Sequence, residues 1–137
     1  KGYICNLSRI TGFGEVSDSL AKAHAVEKWL VERCMEEMKP GMKCSDLRQI
    51  ELDLYDDIGY PPVIPYTGHG VGRVVHEPPY IALNDHTVLQ PNMVETLEPT
   101  ICHSEGGDMF ISIEDQFLIT NDGIDWLTES APMDLYV

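Results

Sequence analysis

Two histidines and the glycines around them form the most distinctive stretch of the chain, Thr67 to Glu77 (TGHGVGRVVHE). His69 has a glycine on either side, and His76 follows seven residues later. Because glycine lacks a Cβ, a neighbouring strand, a metal ion or a substrate can approach the imidazole closely. Imidazole is also the commonest metal ligand among side chains. For a lone GHG, a glycine-rich turn with two incidental histidines would be the better interpretation, but further residues of the chain bear on this one.

Two apolar, β-branched segments further along the chain supply carboxylates. They are residues 92–100 (NMVETLEPT) and 109–123 (MFISIEDQFLITNDG), and a polar, glycine-bearing turn separates them. This pattern predicts an antiparallel hairpin centred near Gly106. In such a hairpin, residues whose numbers sum to about 212 lie opposite each other, which places Glu98 opposite Glu114 on one face of the sheet.

Two carboxylates in opposed positions repel each other, because their Cβ atoms lie only ~4.5–5.5 Å apart. Either one carboxyl is protonated, with a raised pKa, or a cation lies between the two. A solvated face or a different register would also remove the conflict. Since His69 offers a nitrogen ligand, we expect a cation bound by His69, Glu98 and Glu114.

Composition limits the classes of partner. The 137 residues fit one domain with its own core, and the formal net charge of −14 argues against binding to nucleic acid or to an anionic membrane. The sequence shows neither a signal-peptide pattern nor an apolar run of transmembrane length. Its four cysteines have no CxxC spacing, which predicts reduced thiols and a cytoplasmic location; they are Cys5, Cys34, Cys44 and Cys102.

Local patterns predict a strand and two helices before the histidine motif. The strand covers residues 1–13. One helix runs from a cap at Ser17 or Asp18 to about Met38, and the other begins near a Ser45 cap and stops at Gly59. Apolar residues at helical spacing predict the buried stripes, which are Ala23, Val26, Leu30, Cys34 and Met38 in the first helix and Leu47, Ile50, Leu54 and Ile58 in the second.

Two further histidines have no predicted role. His24 falls on the polar side of the first helix, and His86 falls in a loop. We expect both at the surface.

The motifs, in their order, resemble the second half of the pita-bread metallopeptidases: methionine aminopeptidase, Xaa-Pro aminopeptidase, prolidase and the creatinases. They are TGHGVGRVVHE, NMVETLEP and SIEDQFLIT followed by NDG, and KGYICNLSRITGFG looks like the family strand Gly-Tyr-x-Ser-Asp-x-x-Arg-Thr. The resemblance implies an α/β (α+β) fold with two helices on one face of a curved, mainly antiparallel sheet. Residues 1–137 would form the C-terminal portion of the catalytic domain, without its N-terminal portion.

The resemblance also implies a dinuclear metal site built from two aspartates, one histidine and two glutamates. By position, His69, Glu98 and Glu114 match the histidine and the glutamates. The residue matching Glu98 also handles the proton of the attacking water. His76 matches the histidine that contacts the substrate near the scissile carbonyl, so His76 and Glu98 are the expected catalytic residues.

Two departures from the family pattern lower the expected number of metal ions. Asn6 occupies the position of the family's second aspartate, and the first aspartate would lie before Lys1. An amide oxygen can ligate a hard cation but carries no charge. We therefore expect at most one divalent ion, Mn, Co or Zn, held by three protein ligands and water.

The leading hypothesis is a metal-dependent peptidase of the Xaa-Pro type with a peptide substrate. The Glu-Asp pair at 114–115 and the Glu-Pro-Pro after His76 resemble the Xaa-Pro branch. Arg73 and the Tyr66-Thr67-Gly68 lead-in resemble methionine aminopeptidase, and Pro65 stands where prolidases often carry another histidine.

Two other functions stay open. One is a catalytically inactive, peptidase-like module that binds peptides, which Asn6 favours, and the other is a non-peptidase hydrolase of the creatinase type. A truncated sheet exposes an edge, which predicts a homodimer or pairing with a missing N-terminal half.

Overall fold

The computed structural model describes residues 2–104, 109–132 and 134–135. Its elements are α1 (Asp18–Glu37), α2 (Cys44–Ile58), β1 (Tyr66–Gly70), β2 (Glu77–Ala82), β3 (Val94–Leu97), β4 (Thr100–His103), β5 (Met109–Ser112), β6 (Asp115–Ile119) and β7 (Ile124–Trp126). The strands pair antiparallel into a five-stranded sheet of order β2-β1-β3-β6-β7 and a two-stranded sheet of β4 and β5. The predicted class, two helices on a mainly antiparallel sheet, is confirmed. Neither described helix has the length and apolarity needed to cross a membrane.

Capping residues explain where the helices begin and end. The hydroxyl of Ser17 accepts a hydrogen bond from the backbone N–H of Leu20 at 3.2 Å, which caps α1 as predicted. Gly59 ends α2 in the left-handed conformation, with φ of 73°. The predicted cap at Ser45 is wrong, because Ser45 lies inside α2 and Lys43 occupies the cap position without a capping side-chain bond.

The buried face of α2 differs from the predicted stripe. Leu47 is buried, but the other three members of the stripe are only half-buried. The face instead buries Arg48, Glu51 and Tyr55, and Arg48 forms an ion pair with Glu51 and donates to the carbonyl of Ile64 at 2.6 Å. Charged residues can be buried when they pair with each other, and hydrophobic periodicity does not register such pairs.

The predicted surface position of His24 is also wrong, since only 2% of the residue is exposed. Helix α1 contacts α2 on one side and the β4–β5 pair on another. The helix is therefore covered on more of its circumference than its apolar stripe indicates. His86 is exposed, as predicted.

The hydrophobic core lies between the helices and one face of the five-stranded sheet. Leu97 of β3 and Phe117 of β6 are fully buried there against Val31, Cys34 and Leu47 of the helices. Because successive side chains of a strand point to opposite faces, the residue after Leu97 in the chain is directed away from the helices.

The predicted hairpin register is confirmed. All Cα partners in the β3–β6 ladder and in the β4–β5 ladder have numbers that sum to 212, for example Leu97 with Asp115. The two ladders belong to different sheets, so the hairpin is interrupted rather than continuous. Glu98 and Glu114 lie at this interruption. The predicted turn at Gly106 lies outside the described residues.

The predicted N-terminal strand is wrong over its described part, residues 2–13. Ser8 forms a single bridge with Glu114, in which each N–H donates to the other carbonyl at 3.1 and 3.2 Å. Two residues earlier, the N–H of Asn6 donates to the side chain of Gln116 at 3.1 Å instead of to a backbone carbonyl. Side-chain capture of this donor stops the ladder from continuing.

One glycine of the histidine motif is required by the packing of the strands. A Cβ at Gly68 would lie 2.0 Å from the carbonyl oxygen of Thr96, so β1 and β3 could not approach as they do. At Gly123, in contrast, a Cβ would meet nothing within 4 Å.

We expect Gly68→Ala to lower the free energy of unfolding by about 2 kcal/mol or more, since the backbone must move to relieve the overlap. The control Gly123→Ala should change it by no more than about 0.5 kcal/mol. Urea denaturation of both variants measures the difference. Equal stabilities would contradict the close approach of β1 and β3.

Candidate metal centre

His69 is held in the neutral form that binds metals. The residue is fully buried on β1, and its Nδ1 lies 3.0 Å from the carbonyl oxygen of Gly70. A carbonyl only accepts hydrogen bonds, so Nδ1 carries the proton and Nε2 keeps a free lone pair. Burial lowers the pKa of His69, which favours the neutral imidazole at physiological pH.

Both predicted glutamates reach the free nitrogen of His69. Nε2 lies 3.4 Å from Oε1 of Glu98 and 3.6 Å from Oε1 of Glu114. The backbone N–H of Glu98 donates to the carbonyl of Thr67 at 2.7 Å, which ties the end of β3 to β1. Two ligand atoms at tetrahedral angles around one ion, each at 2.0–2.2 Å, lie about 3.3–3.6 Å apart. The observed separations match that spacing.

The three converging atoms lack hydrogen bonds. Nε2 of His69, Oε1 of Glu98 and Oε1 of Glu114 are buried, and no described residue bonds to them. Proteins leave few buried polar atoms unpaired, since each costs about 1–3 kcal/mol. The described ligand atoms that all lie within 4.8 Å of one another belong to His69, His76 and Glu98, and Oε1 of Glu114 lies next to this group, 3.6 Å from Nε2 of His69. A cation bound to Nε2 of His69 would lie near both carboxylate oxygens, so the donor set fits a divalent metal ion.

The raised pKa values of the two glutamates also indicate a site for a cation. Burial, followed by the charge of Glu98, raises the pKa of Glu114 to about 7. Burial also raises the pKa of Glu98, against the opposing effect of His76. Both carboxyls are therefore destabilised as anions by this site, and a bound cation would reverse the effect.

His76 lies beside the cluster but is exposed. It belongs to the loop between β1 and β2, and its ring centroid lies 4.1 Å from that of His69. A ring nitrogen of His76 lies within 4.8 Å of ligand atoms of His69 and Glu98. This distance permits either a contact with a substrate or a fourth ligand.

Arg9, which the sequence reasoning missed, fixes the backbone at Glu114. Its guanidinium donates to the carbonyls of Ser8 and Glu114, both at 2.7 Å, to the carbonyl of Glu129, and to the carboxylate of Asp115 at 2.5 Å. Asp115 is fully buried, and Arg9 is its ion-pair partner. Two cues were present in the sequence: the acidic Asp115 at the start of a strand that continues with apolar residues, and the arginine of the family strand, which falls on Arg9.

Arg9→Met should lower the free energy of unfolding by about 3–5 kcal/mol, because it leaves the Asp115 carboxylate buried without its cation. Adding Asp115→Asn should recover part of the loss, since the unpaired charge is then removed. Urea denaturation of the single and double variants measures both effects. Native-like stability of Arg9→Met would show that the guanidinium does not hold this strand.

Comparison with known proteins identifies the family. Residues 1–121 match the family model of metallopeptidase family M24. The chain is 32% identical over 132 residues to the Xaa-Pro dipeptidase of Lactobacillus delbrueckii subsp. lactis, which is 96% of this chain and 35% of that protein. It is 33% identical over 129 residues to the Xaa-Pro dipeptidase of Pyrococcus furiosus, which is 93% of this chain and 36% of that protein.

The fold agrees with these relatives. The crystal structure of X-Pro aminopeptidase from Thermotoga maritima superposes with a TM-score of 0.90 at 28% identity, covering 99% of this chain and 38% of that chain. The chain belongs to metallopeptidase family M24, and its helices and sheet form part of the pita-bread fold, as the sequence motifs predicted. It spans little more than a third of the length of these relatives.

Proposed function

We propose that His69, Glu98 and Glu114 bind one divalent metal ion in a peptidase that cleaves peptides of the Xaa-Pro type. The observation that carries the proposal is the set of three buried, unpaired ligand atoms, with both carboxylate oxygens within 3.6 Å of Nε2 of His69. Membership of a metallopeptidase family and similarity to two Xaa-Pro dipeptidases support the peptide substrate.

The surrounding side chains suit the steps of peptide hydrolysis. A divalent ion at this site supplies Lewis-acid chemistry, polarising the peptide carbonyl and lowering the pKa of water. Glu98, whose pKa burial raises, takes up the proton of the attacking water and returns it to the leaving amine. His76, on the exposed side of the cluster, donates a hydrogen bond to the carbonyl oxygen as negative charge develops there.

A single metal ion is proposed because Asn6 brings no charge to the site. Asn6 lies two residues from Ser8, which pairs with Glu114, so the segment passes the same end of the sheet. Replacing the amide with a carboxylate would supply the charged oxygen ligand that a hard cation prefers.

Asn6→Asp should therefore tighten Mn²⁺ binding and raise the stoichiometry from one to two Mn²⁺ ions per chain. Calorimetric titration of Mn²⁺ into the native chain and the variant measures affinity and stoichiometry. Asn121→Asp, which adds the same charge at an exposed residue in the turn before β7, is the matched control and should leave both unchanged. Identical titrations of the native chain and Asn6→Asp would place Asn6 out of contact with the metal.

The peptidase function is tested by the release of proline from Ala-Pro in the presence of Mn²⁺. We expect little or no release by the native chain and faster release by Asn6→Asp. In the Asn6→Asp background, His76→Ala should retain the metal and reduce turnover by roughly 10²–10³, the usual loss for one oxyanion donor. Asn121→Ala, which changes an exposed residue in the turn before β7, should have little effect. Loss of metal on His76→Ala would make His76 a ligand and contradict its proposed role.

The two alternative functions predict different products. A peptidase-like binding module, which Asn6 favours, would return Ala-Pro uncleaved from both forms while still binding it. A hydrolase of the creatinase type would release urea from creatine and leave Ala-Pro intact. Either result would contradict the proposed peptidase.

Several finer assignments stay predictions. These are the choice among Mn, Co and Zn, the cytoplasmic location, and the pairing with a second chain. Strands β2 and β7 lie at the two edges of the five-stranded sheet, and edges of this kind are where a homodimer or an N-terminal half would pair.

A further inference from the structure

A cavity of about 400 Å³ lies beside the metal cluster, and the mechanism above does not use it. Its lining residues are Pro65, Tyr66, Tyr80, Ala82, Asn84 and Asp85. In the β1–β2 pair, Tyr66 is the Cα partner of Ala82, and His69 is the partner of Tyr80. Side chains of paired residues share a face of the sheet, so the cavity lies on the face that carries His69.

Tyr66 connects this cavity to the metal cluster. Its ring centroid lies 6.4 Å from that of His69 and 5.7 Å from that of Tyr80, both in edge-on arrangements. Tyr66 therefore lines the cavity on one side and contacts the ring of His69 on the other. The cavity thus begins one aromatic ring away from His69.

The cavity carries a carboxylate, and its six lining residues include neither lysine nor arginine. Asp85 accepts hydrogen bonds from the backbone N–H groups of Tyr80 at 2.8 Å and Thr87 at 2.9 Å, one on each carboxylate oxygen. Burial alone would raise the pKa of Asp85, but hydrogen bonds from Thr87 and Tyr80, together with the charge of the neighbouring His86, bring it below its usual value. Asp85 is therefore an anion at neutral pH, with lone pairs left for a further donor.

We propose that this cavity is a substrate subsite that selects a cationic side chain, lysine or arginine, next to the scissile bond; the proposal rests on the peptidase function above. The charged end of that side chain pairs with Asp85, and its methylene stem packs against the rings of Tyr66 and Tyr80. An apolar side chain would contact the same rings but would desolvate the Asp85 carboxylate without supplying a donor. The net charge of −14 also favours a cationic substrate.

Two blocked amino acids test the selection without any catalysis. Acetyl-lysine amide and acetyl-norleucine amide have the same carbon stem and differ by the ammonium group. Each is titrated into the ¹⁵N-labelled 137-residue chain in EDTA, and the backbone amide signals of Tyr66, Tyr80 and Asp85 are followed by NMR. We expect acetyl-lysine amide to shift these signals and to bind about tenfold more tightly, as a hydrogen bond to a charged group contributes. Equal or tighter binding of acetyl-norleucine amide would overturn the proposal.

One variant that removes a carboxylate from the cavity and one that adds a carboxylate there distinguish an effect on recognition from an effect on folding. Asp85→Asn should abolish the preference for lysine, and Asn84→Asp should increase it, because the second change adds a carboxylate without altering the hydrogen bonds of Asp85. Asn121→Asp is the control and should not change the preference. Asp85→Asn also removes hydrogen bonds that hold the turn. If Asp85→Asn does not fold, the effect of Asn84→Asp on the preference for lysine decides whether the proposal holds. A preference unaffected by Asn84→Asp would overturn the proposal.

The experiment also distinguishes this subsite from the peptidase function. A preference for lysine in EDTA, together with no hydrolysis of Ala-Pro or Lys-Pro in Mn²⁺, would support the cationic pocket and contradict the peptidase. Hydrolysis without any preference for lysine over norleucine would support the peptidase and contradict the pocket.

Discussion

Two carboxylates held opposite each other across one hairpin constrain the rest of this structure. Glu98 and Glu114 flank Nε2 of His69, and burial raises the pKa of both. Such a pair lowers stability unless a proton or a cation lies between the carboxylates. Nearby features keep them in place: the close approach of β1 to β3 at Gly68, and the hydrogen bonds of Arg9 to the backbone at Glu114. The packing therefore holds the two carboxylates in an arrangement that is stable with a bound ligand and unfavourable without one.

Much of this arrangement could be predicted because local chemistry determines it. Strand side chains alternate with a period of two, so a hairpin centre near Gly106 was enough to put both glutamates on one face. The register observed on either side of them agrees. Ser17 and Gly59 likewise marked helix ends through capping preferences that act over a few residues. The glycines beside His69 indicated close backbone approach for the same local reason.

The remaining features depend on contacts between distant residues. The buried pair of Arg48 and Glu51 shifted the buried face of α2 away from the predicted stripe, and packing on two sides buried His24. Apart from Ser8, the partners of Arg9 lie more than a hundred residues away in sequence. The cavity beside Tyr66 exists because β1 and β2 pair in one particular register. No periodicity within a short window carries this information.

The central claim is that His69, Glu98 and Glu114 bind one ion together. Anomalous diffraction from a crystal of the chain soaked in Mn²⁺ tests it most directly, because manganese is located independently of the protein atoms. We predict one strong anomalous peak within about 2.0–2.3 Å of Nε2 of His69 and of a carboxylate oxygen of each glutamate. A peak coordinated by other side chains, or the absence of any peak at this cluster, would contradict the claim.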